Sequence, residues 1–137
     1  MERTLAIIKP DAVAAGHAGR ILGVIEENGF KVLGMRMTRL RVEQVQGFYA
    51  VHRDRSFFEA LVRFMTEGPV IVVALEAAGA VKKWRDVMGA TNPANAAEGT
   101  IRKRFGTSIE RNAVHGSDSD ENAAIEVSFF FSAADLL

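Results

Sequence analysis

The segment with the clearest chemical potential is Asn112-Ala113-Val114-His115-Gly116-Ser117-Asp118. Imidazole is largely unprotonated near neutral pH, so His115 can act as a nucleophile without a strong base and can form a transferable P–N bond. Only one ring nitrogen attacks, and the other needs an acceptor, which Glu126 could provide directly or through the Ser117 hydroxyl. A His beside Gly and Ser is more often an ordinary loop residue, so this segment by itself leaves both interpretations open.

Three cations are candidates for holding a phosphate. Lys9 ends an apolar run, Arg85 follows Trp84, and Arg102 lies in a long loop. The chain has neither a Walker A sequence nor a Gly-x-Gly-x-x-Gly pattern, so a phosphate would have to be held by side-chain charge instead of an amide cradle. Each cation alone is better explained as a solvated surface charge, and only their combination favours a phosphate site.

Other polar patterns have ordinary explanations. Residues 52–54 match the protein-kinase catalytic tripeptide, but Glu59 stands where that motif needs Asn. Residues 118–122 begin like a calcium loop, but the Gly that such a loop requires is absent. We interpret 118–122 as a carboxylate-rich helix N-terminus, and His17 and His52 as surface and packing residues.

The composition excludes several function classes. The 17 Lys+Arg balance 17 Asp+Glu, so no overall basic field gathers nucleic acid or holds an acidic membrane surface. The absence of cysteine removes disulfides, thiolate metal sites and cysteine nucleophiles. The longest apolar run, residues 70–75, is too short to span a bilayer. We therefore expect one domain over residues 1–137, located in the cytoplasm and without a membrane role.

Apolar periodicity predicts strands that alternate with helices. Leu33, Met35 and Met37 alternate with polar or small residues, which is typical of a half-buried strand. The predicted strands are residues 4–8, 33–38, 70–75 and 114–115, and the predicted helices are residues 19–28, 45–52, 58–65, 81–88, a short one at 99–104, and a closing helix marked by Ala123, Ala124, Val127, Phe130 and Phe131. Ser117 and Asp120 resemble a capping box for that closing helix.

The remaining segments are predicted as loops. Residues 11–18 form a loop rich in Gly and Ala, and residues 89–112 form a long loop of the kind that is usually functional in a compact domain. The order of elements predicts an α+β fold, best matched by a ferredoxin-like four-stranded antiparallel sheet with helices packed on it.

Seven segments together resemble the signature of the nucleoside diphosphate kinase family. They are residues 8–11, 48–52, 57–58, 68–70, 88–93, 99–102 and 112–119. These segments follow the family's order and spacing over essentially the whole chain, and the His-Gly-Ser-Asp-Ser block together with Thr-Asn-Pro-Ala is highly specific. The resemblance implies a ferredoxin-like domain and a ping-pong transfer of the γ-phosphate from a nucleoside triphosphate to a nucleoside diphosphate, with Mg²⁺.

The resemblance also implies roles for individual residues. His115 would be the phosphorylated nucleophile, Glu126 its orienting carboxylate, and Ser117 would lie alongside. The other implied contacts are Arg85, Thr91, Arg102 and Tyr49 to the phosphates, Lys9 and Asn112 to the sugar hydroxyls and the transferred group, Phe57 to the base, and Asp118 to Mg²⁺ through water. Stacking on Phe57 predicts broad base specificity, because every base offers a π-face.

The implied partners are ATP and other nucleoside triphosphates, nucleoside diphosphates, and further copies of the chain in a homo-oligomer, either a tetramer or a hexamer. Two alternatives stand beside this interpretation, namely a catalytically inactive scaffold of the same family and a nucleic-acid-binding module that uses the sheet. The intact catalytic positions argue against the first. The zero net charge and the lack of an RNP-like aromatic strand argue against a primary nucleic-acid role.

Overall fold

A four-stranded antiparallel sheet with the order β2-β3-β1-β4 organises the fold. In the computed structural model, which describes residues 1–137, the strands are β1 (Glu2–Ile8), β2 (Lys31–Thr38), β3 (Val70–Ala77) and β4 (Val114–Gly116). The two central strands, β1 and β3, are buried on both faces, which explains why they read as continuous apolar runs.

Seven α-helices cover the two faces of this sheet. They are α1 (Pro10–Ala14), α2 (Ala18–Glu27), α3 (Val42–Phe48), α4 (Phe58–Met65), α5 (Ala80–Met88), α6 (Ile101–Phe105) and α7 (Asp120–Phe130). One hydrophobic cluster joins the sheet to α1, α2, α5 and α6, and a second joins it to α3, α4 and α7. The predicted ferredoxin-like α+β architecture is thereby confirmed. None of these helices is both long and apolar enough to span a membrane.

Three predictions about helices are wrong in detail. The loop predicted after β1 contains α1, because Pro10 occupies a first-turn position where its fixed φ favours a helix. The helix predicted over residues 45–52 ends at Phe48, and a 3₁₀ turn, Ala50–His52, continues the chain. The N-cap of α7 is Ser119, whose side chain accepts a hydrogen bond from the Asn122 amide, so Ser117 is not the capping residue.

The buried face predicted for β2 is only partly correct. Leu33 is buried, whereas Met35 and Met37 are each more than half exposed. A register shift between Val32 and Gly34 marks a β-bulge, and a bulge changes which side chains share a face. Beyond it, Arg36 lies on the face that carries α7, where its guanidinium carbon is 5.4 Å from the centroid of the Phe131 ring. The two methionines therefore point to the other face of an edge strand, where they stay exposed.

Candidate active site

His115 lies on β4 with one ring nitrogen already engaged. Its Nε2 is 2.8 Å from Oε1 of Glu126, and the Ser117 hydroxyl donates to the same oxygen at 2.9 Å. The Leu5 amide donates in turn to the Ser117 oxygen at 3.2 Å, which connects this chain of hydrogen bonds to β1. Because Glu126 accepts from the Nε2 hydrogen, the imidazole carries its lone pair on Nδ1.

The glycine after His115 is required by packing against α5. A Cβ atom on Gly116 would come within 2.5 Å of the Trp84 ring and 2.6 Å of the Met88 side chain, both of which are buried. The Trp84 indole nitrogen donates to the His115 carbonyl at 3.1 Å, so the close approach also fixes the backbone of the nucleophile. The short strand is therefore held from both of its neighbours, β1 and α5.

A strained turn precedes this strand. Ala113 is buried and has a φ of 74°, and the Val114 amide donates to the Asn112 carbonyl at 2.9 Å, which is the hydrogen bond of a positive-φ γ-turn. The Asp11 carboxylate accepts from the Ala113 amide at 3.1 Å, and the Lys9 amide donates to the Ala113 carbonyl at 2.8 Å. Contacts from the end of β1 and from α1 thus hold a conformation that the turn would not adopt unaided.

This turn aims the Asn112 side chain at two other predicted site residues. Its Oδ1 accepts from the Lys9 ammonium at 2.8 Å, and its Nδ2 donates to the Thr91 carbonyl at 3.0 Å. Lys9 and Asn112 are both buried. These hydrogen bonds therefore connect Lys9, Thr91 and Asn112, which are far apart in the sequence, beside His115.

Two buried cations lie here without a paired carboxylate. Arg102 donates to the Gly89 carbonyl at 3.1 Å and to the Val114 carbonyl at 2.9 Å, while its buried Nε has no partner. Burial lowers the pKa of Arg102 to about 10, with a further contribution from the charge of Arg85. A buried charge needs a partner, so this arrangement favours an anion.

Lys9 has the same character. Burial lowers the pKa of Lys9 to about 8, and the charge of Arg102 lowers it too, although Asp11 and Glu110 act in the opposite direction. An incoming phosphate would compensate both cations and would restore the ordinary protonation of the lysine.

Aromatic rings enclose the imidazole. The Phe48 ring centroid is 5.3 Å from that of His115 and the Tyr49 centroid is 6.1 Å away, both in edge-to-face orientation. Burial raises the pKa of Tyr49 far above its usual range, and the Glu126 carboxylate raises it further, so the phenol keeps its proton. The ring nitrogens are thus shielded on one side by apolar surface.

A cavity of about 560 Å³ opens above these groups. Its floor is formed by the polar residues Lys9, Arg102 and Asn112. Its mouth lies between α4 and the loop that precedes β4. The lining residues are Lys9, Tyr49, His52, Phe57, Ala60, Leu61, Thr91, Arg102, Ile109, Glu110, Asn112 and His115. The volume suits a small-molecule ligand. Another cavity of about 550 Å³ lies between residues 1–3 and α7, but none of the predicted site residues lines it.

The structure brings most of the predicted site residues together. Lys9, Tyr49, Phe57, Thr91, Arg102, Asn112 and His115 line the cavity. Glu126 and Ser117 lie behind the imidazole, and Arg85 lines an adjoining cavity of about 460 Å³ that shares Thr91 and Arg102. Asp118 is exposed and does not line the cavity, and its carboxylate accepts from the Asn122 side chain at 2.6 Å.

Sequence reasoning missed several residues at the mouth. His52 lines the cavity with its ring stacked on Tyr49 at 6.3 Å between centroids, so the interpretation as a mere surface and packing residue is incomplete. Leu61 also lines the cavity and lies in the helix predicted over residues 58–65, to which no role at the site was assigned. Ile109 and Glu110 lie in a loop without periodicity, so no local signal marks them.

The chain is similar to known proteins over its whole length. The family model described as nucleoside diphosphate kinase matches residues 2–136. The chain is 63% identical over the full length of both proteins to the nucleoside diphosphate kinase of Syntrophotalea carbinolica, and 55% identical to that of Chlamydia caviae over the whole of this chain and 97% of the relative.

Solved structures agree as well. The Aquifex aeolicus nucleoside diphosphate kinase superposes with a TM-score of 0.98 at 42% identity over 99% of both chains. The Halobacterium salinarum enzyme, solved in complex with CDP, superposes with a TM-score of 0.95 at 38% identity over 99% of this chain and 91% of the other. The chain therefore belongs to the nucleoside diphosphate kinase family, whose members transfer phosphate between nucleotides.

Proposed function

We propose that this nucleoside diphosphate kinase works by a ping-pong mechanism through a phosphohistidine at His115. The observation that carries the proposal is the hydrogen bond from Nε2 to Glu126, which leaves Nδ1 as the nucleophilic nitrogen of a ring that lines the cavity. In the first half-reaction, Nδ1 forms a P–N bond to the γ-phosphorus of a nucleoside triphosphate while the bond to the bridging oxygen breaks, and the nucleoside diphosphate leaves. The second half-reaction reverses these steps with a different nucleoside diphosphate.

The buried cations supply the electrostatic part of catalysis. The migrating phosphoryl group carries charge on its equatorial oxygens, and Lys9 and Arg102 are in place before the reaction begins, so little reorganisation is needed. Arg85, Thr91 and Tyr49 contact the remaining phosphate oxygens. The edge-to-face rings around His115 limit the access of water, which favours transfer to a nucleotide over hydrolysis.

The apolar mouth of the cavity takes the nucleoside. Phe57 is 47% exposed and Ile109 is 60% exposed, and both line the cavity beside Leu61. We call the space between them the nucleoside slot. A base that stacks on Phe57 covers this exposed apolar surface, and stacking does not depend on the hydrogen-bonding groups at the edge of the base. ATP, GTP and pyrimidine nucleotides are therefore all expected as substrates. Lys9 and Asn112 reach the sugar hydroxyls, and the complex of the Halobacterium relative with CDP supports nucleotide binding by this chain.

Mg²⁺ is the implied cofactor, and the residues present fit an ion that arrives with the nucleotide. The chain holds no group of three or more His, Cys, Asp or Glu side chains that would form a protein cage. Mg²⁺ prefers phosphate oxygens and water as ligands, so no such cage is needed. Asp118, two residues before α7, would contact the ion only through water. When bound, the ion neutralises charge on the phosphates.

The whole chain, residues 1–137, acts as one catalytic unit in the cytoplasm, and several copies assemble into a tetramer or a hexamer. Support for self-association comes from β2, an edge strand whose outer half exposes Met35 and Met37. Such an edge offers unpaired backbone groups and apolar surface to a second strand. Light scattering on the purified protein gives the number of copies directly.

Labelled nucleotide tests the mechanism. The protein is mixed with γ-labelled ATP and Mg²⁺, freed from nucleotide, and then given GDP or UDP. We expect an alkali-stable, acid-labile phosphoprotein whose label leaves as the new triphosphate. A folded protein that binds nucleotide without taking up label would favour the scaffold alternative instead. Binding that falls steeply with salt and ignores free nucleotide would favour the nucleic-acid alternative.

A further inference from the structure

One wall of the nucleoside slot is a small closed loop built around Arg111. The Arg111 carbonyl accepts from the amides of Thr107 at 2.8 Å and Ser108 at 3.3 Å, and its own amide donates to the Ser108 hydroxyl at 3.0 Å. Ile109 and Glu110 lie at the tip of this loop and line the cavity. The backbone of Arg111 therefore fixes the shape of the loop but not its distance from the opposite wall.

The side chain of Arg111 connects this loop to the opposite wall of the slot. Its guanidinium makes two hydrogen bonds to the Glu67 carboxylate, at 2.9 Å and 3.1 Å, and its Cζ lies 5.0 Å from the centroid of the buried Phe64 ring. Phe64 belongs to α4 and Glu67 follows shortly after its end, while Phe57 and Leu61 of the opposite wall lie at the beginning of the same segment. The two walls of the slot are thus joined through one arginine.

No other ion pair has this position. The remaining pairs join β1 to β3, lie within the first turn of α3 or within α5, or belong to the catalytic His115 and Glu126. The Arg111 and Glu67 side chains are 47% and 41% exposed, and exposed pairs contribute little to the free energy of unfolding. A two-fold hydrogen bond between a guanidinium and a carboxylate does, however, impose a definite geometry.

We propose that Arg111 and Glu67 set the width of the nucleoside slot and act as positioning residues for nucleotide binding. Neither side chain lines the cavity, so neither contacts the substrate. Their effect reaches the nucleotide through Ile109 and Phe57, which stand on the two segments that the pair connects. This inference rests on the proposed assignment of the slot to the nucleoside.

The test separates binding from chemistry. In Arg111→Met, which keeps an unbranched apolar stem, and in Glu67→Gln, the KM for nucleoside diphosphates rises about fivefold, which corresponds to about 1 kcal/mol, while kcat stays within twofold of the wild type. Phosphorylation of His115 by phosphoramidate, a donor that has no base, keeps its wild-type rate. The exchanged pair Glu67→Arg with Arg111→Glu brings KM back towards the wild-type value.

Two further variants, Arg3→Met and Phe57→Ala, serve as controls. Arg3→Met removes a matched ion pair, Arg3 with Glu76 at 3.6 Å, at the opposite end of the sheet and leaves KM unchanged. An unchanged KM in both Arg111→Met and Glu67→Gln overturns the proposal, and so does slower phosphorylation by phosphoramidate in folded protein. If Phe57→Ala also leaves KM unchanged, the slot assignment itself fails. If Phe57→Ala raises KM and the pair variants do not, only the positioning role fails.

Discussion

The floor and the mouth of the cavity differ in almost every physical respect. The floor holds the buried cations Lys9 and Arg102, fixed by hydrogen bonds to Asn112 and to backbone carbonyls and without carboxylate partners of their own. The mouth holds Phe57 and Ile109, which are exposed and apolar. The difference matches what varies among nucleotides, because the phosphates are common to all of them and the base is not.

The two regions also differ in how they affect the stability of the ligand-free protein. Buried cations without partners destabilise the ligand-free protein, as the lowered pKa of Lys9 indicates. Exposed apolar side chains have a small cost, since surfaces of soluble proteins carry many of them. We expect changes in the floor to alter kcat strongly, and changes in the mouth to alter binding moderately.

The largest effect is expected at the nucleophile. His115→Ala abolishes phosphotransfer, because His115 is the only histidine at the cavity that a carboxylate orients. The fold should be kept, because the Ser117 hydroxyl still donates to Glu126 in this variant. Steady-state assays of the variant test the loss of activity, and thermal melts test whether the fold is kept. Phosphotransfer at the wild-type rate in this variant would contradict the mechanism.

The next largest effect is expected at Arg102. Arg102→Met keeps much of the buried stem but removes the preorganised charge, and we expect kcat to fall about 100-fold, by comparison with the loss of one donor to a developing oxyanion. Lys103→Met is the matched control, because its side chain is exposed on the same helix and its variant should keep full activity. Equal losses in the two variants would show that net charge, and not position, is what matters.

A moderate effect is expected at the mouth. Phe57→Ala weakens nucleotide binding about tenfold, since stacking of a base on an aromatic ring contributes about 1–3 kcal/mol. The loss should be similar for purine and pyrimidine nucleotides, and kcat should change less than KM. Val51→Ala, at an exposed apolar position shortly before Phe57, should leave the Kd from calorimetry unchanged. A loss confined to one base would mean that the slot reads base edges.

The smallest effect concerns pH. With a Lys9 pKa of about 8, the ligand-free protein loses this cation as pH rises, and affinity for nucleoside diphosphate falls about fourfold between about pH 7 and 8.5 if the neutral lysine contributes nothing. The Lys9→Met variant should bind nucleoside diphosphate weakly, and its affinity should not show this decrease with pH. Calorimetry on both proteins across this range is the measurement, and an identical pH profile in the variant would rule out Lys9 as the titrating group.

The same lysine affects stability with the opposite sign. Its pKa in the folded protein, about 8, lies below the unfolded value of 10.5, so between these values the unfolded chain binds more protons. The contribution of Lys9 to the free energy of unfolding therefore rises with pH across that window, in which nucleotide affinity falls. The floor thus keeps a cation that helps the substrate bind and weakens the fold.

Sequence patterns predicted the parts of the fold that depend on local burial. Strands β1 and β3 are buried on both faces and gave unbroken apolar runs, so their positions were predicted closely. The outer half of β2 was not, because a bulge between Val32 and Gly34 reverses the alternation and no pattern within the strand announces it. The α1 helix was missed because five residues are too few for an apolar period to appear.

The same distinction holds for the site. The floor residues could be proposed because each has a chemically distinctive side chain within a signature segment. At the mouth, Phe57 lies in a signature segment and could be proposed, whereas Ile109 reaches the cavity from a loop whose Arg111 is hydrogen-bonded to Glu67, 44 residues earlier, a contact that no local pattern indicates. Asp11 carries no catalytic signal either, and its role in holding Ala113 at positive φ appears only in three dimensions.

The nitrogen of His115 that carries the phosphate is the most direct observable of the proposed mechanism. The phosphoprotein is prepared with labelled ATP and examined by phosphorus–nitrogen correlated NMR, with peptide mapping to locate the modified residue. Because Glu126 holds Nε2, we predict a single phosphohistidine, at Nδ1 of His115. Phosphate on Nε2, or on any other residue, would rule out this mechanism.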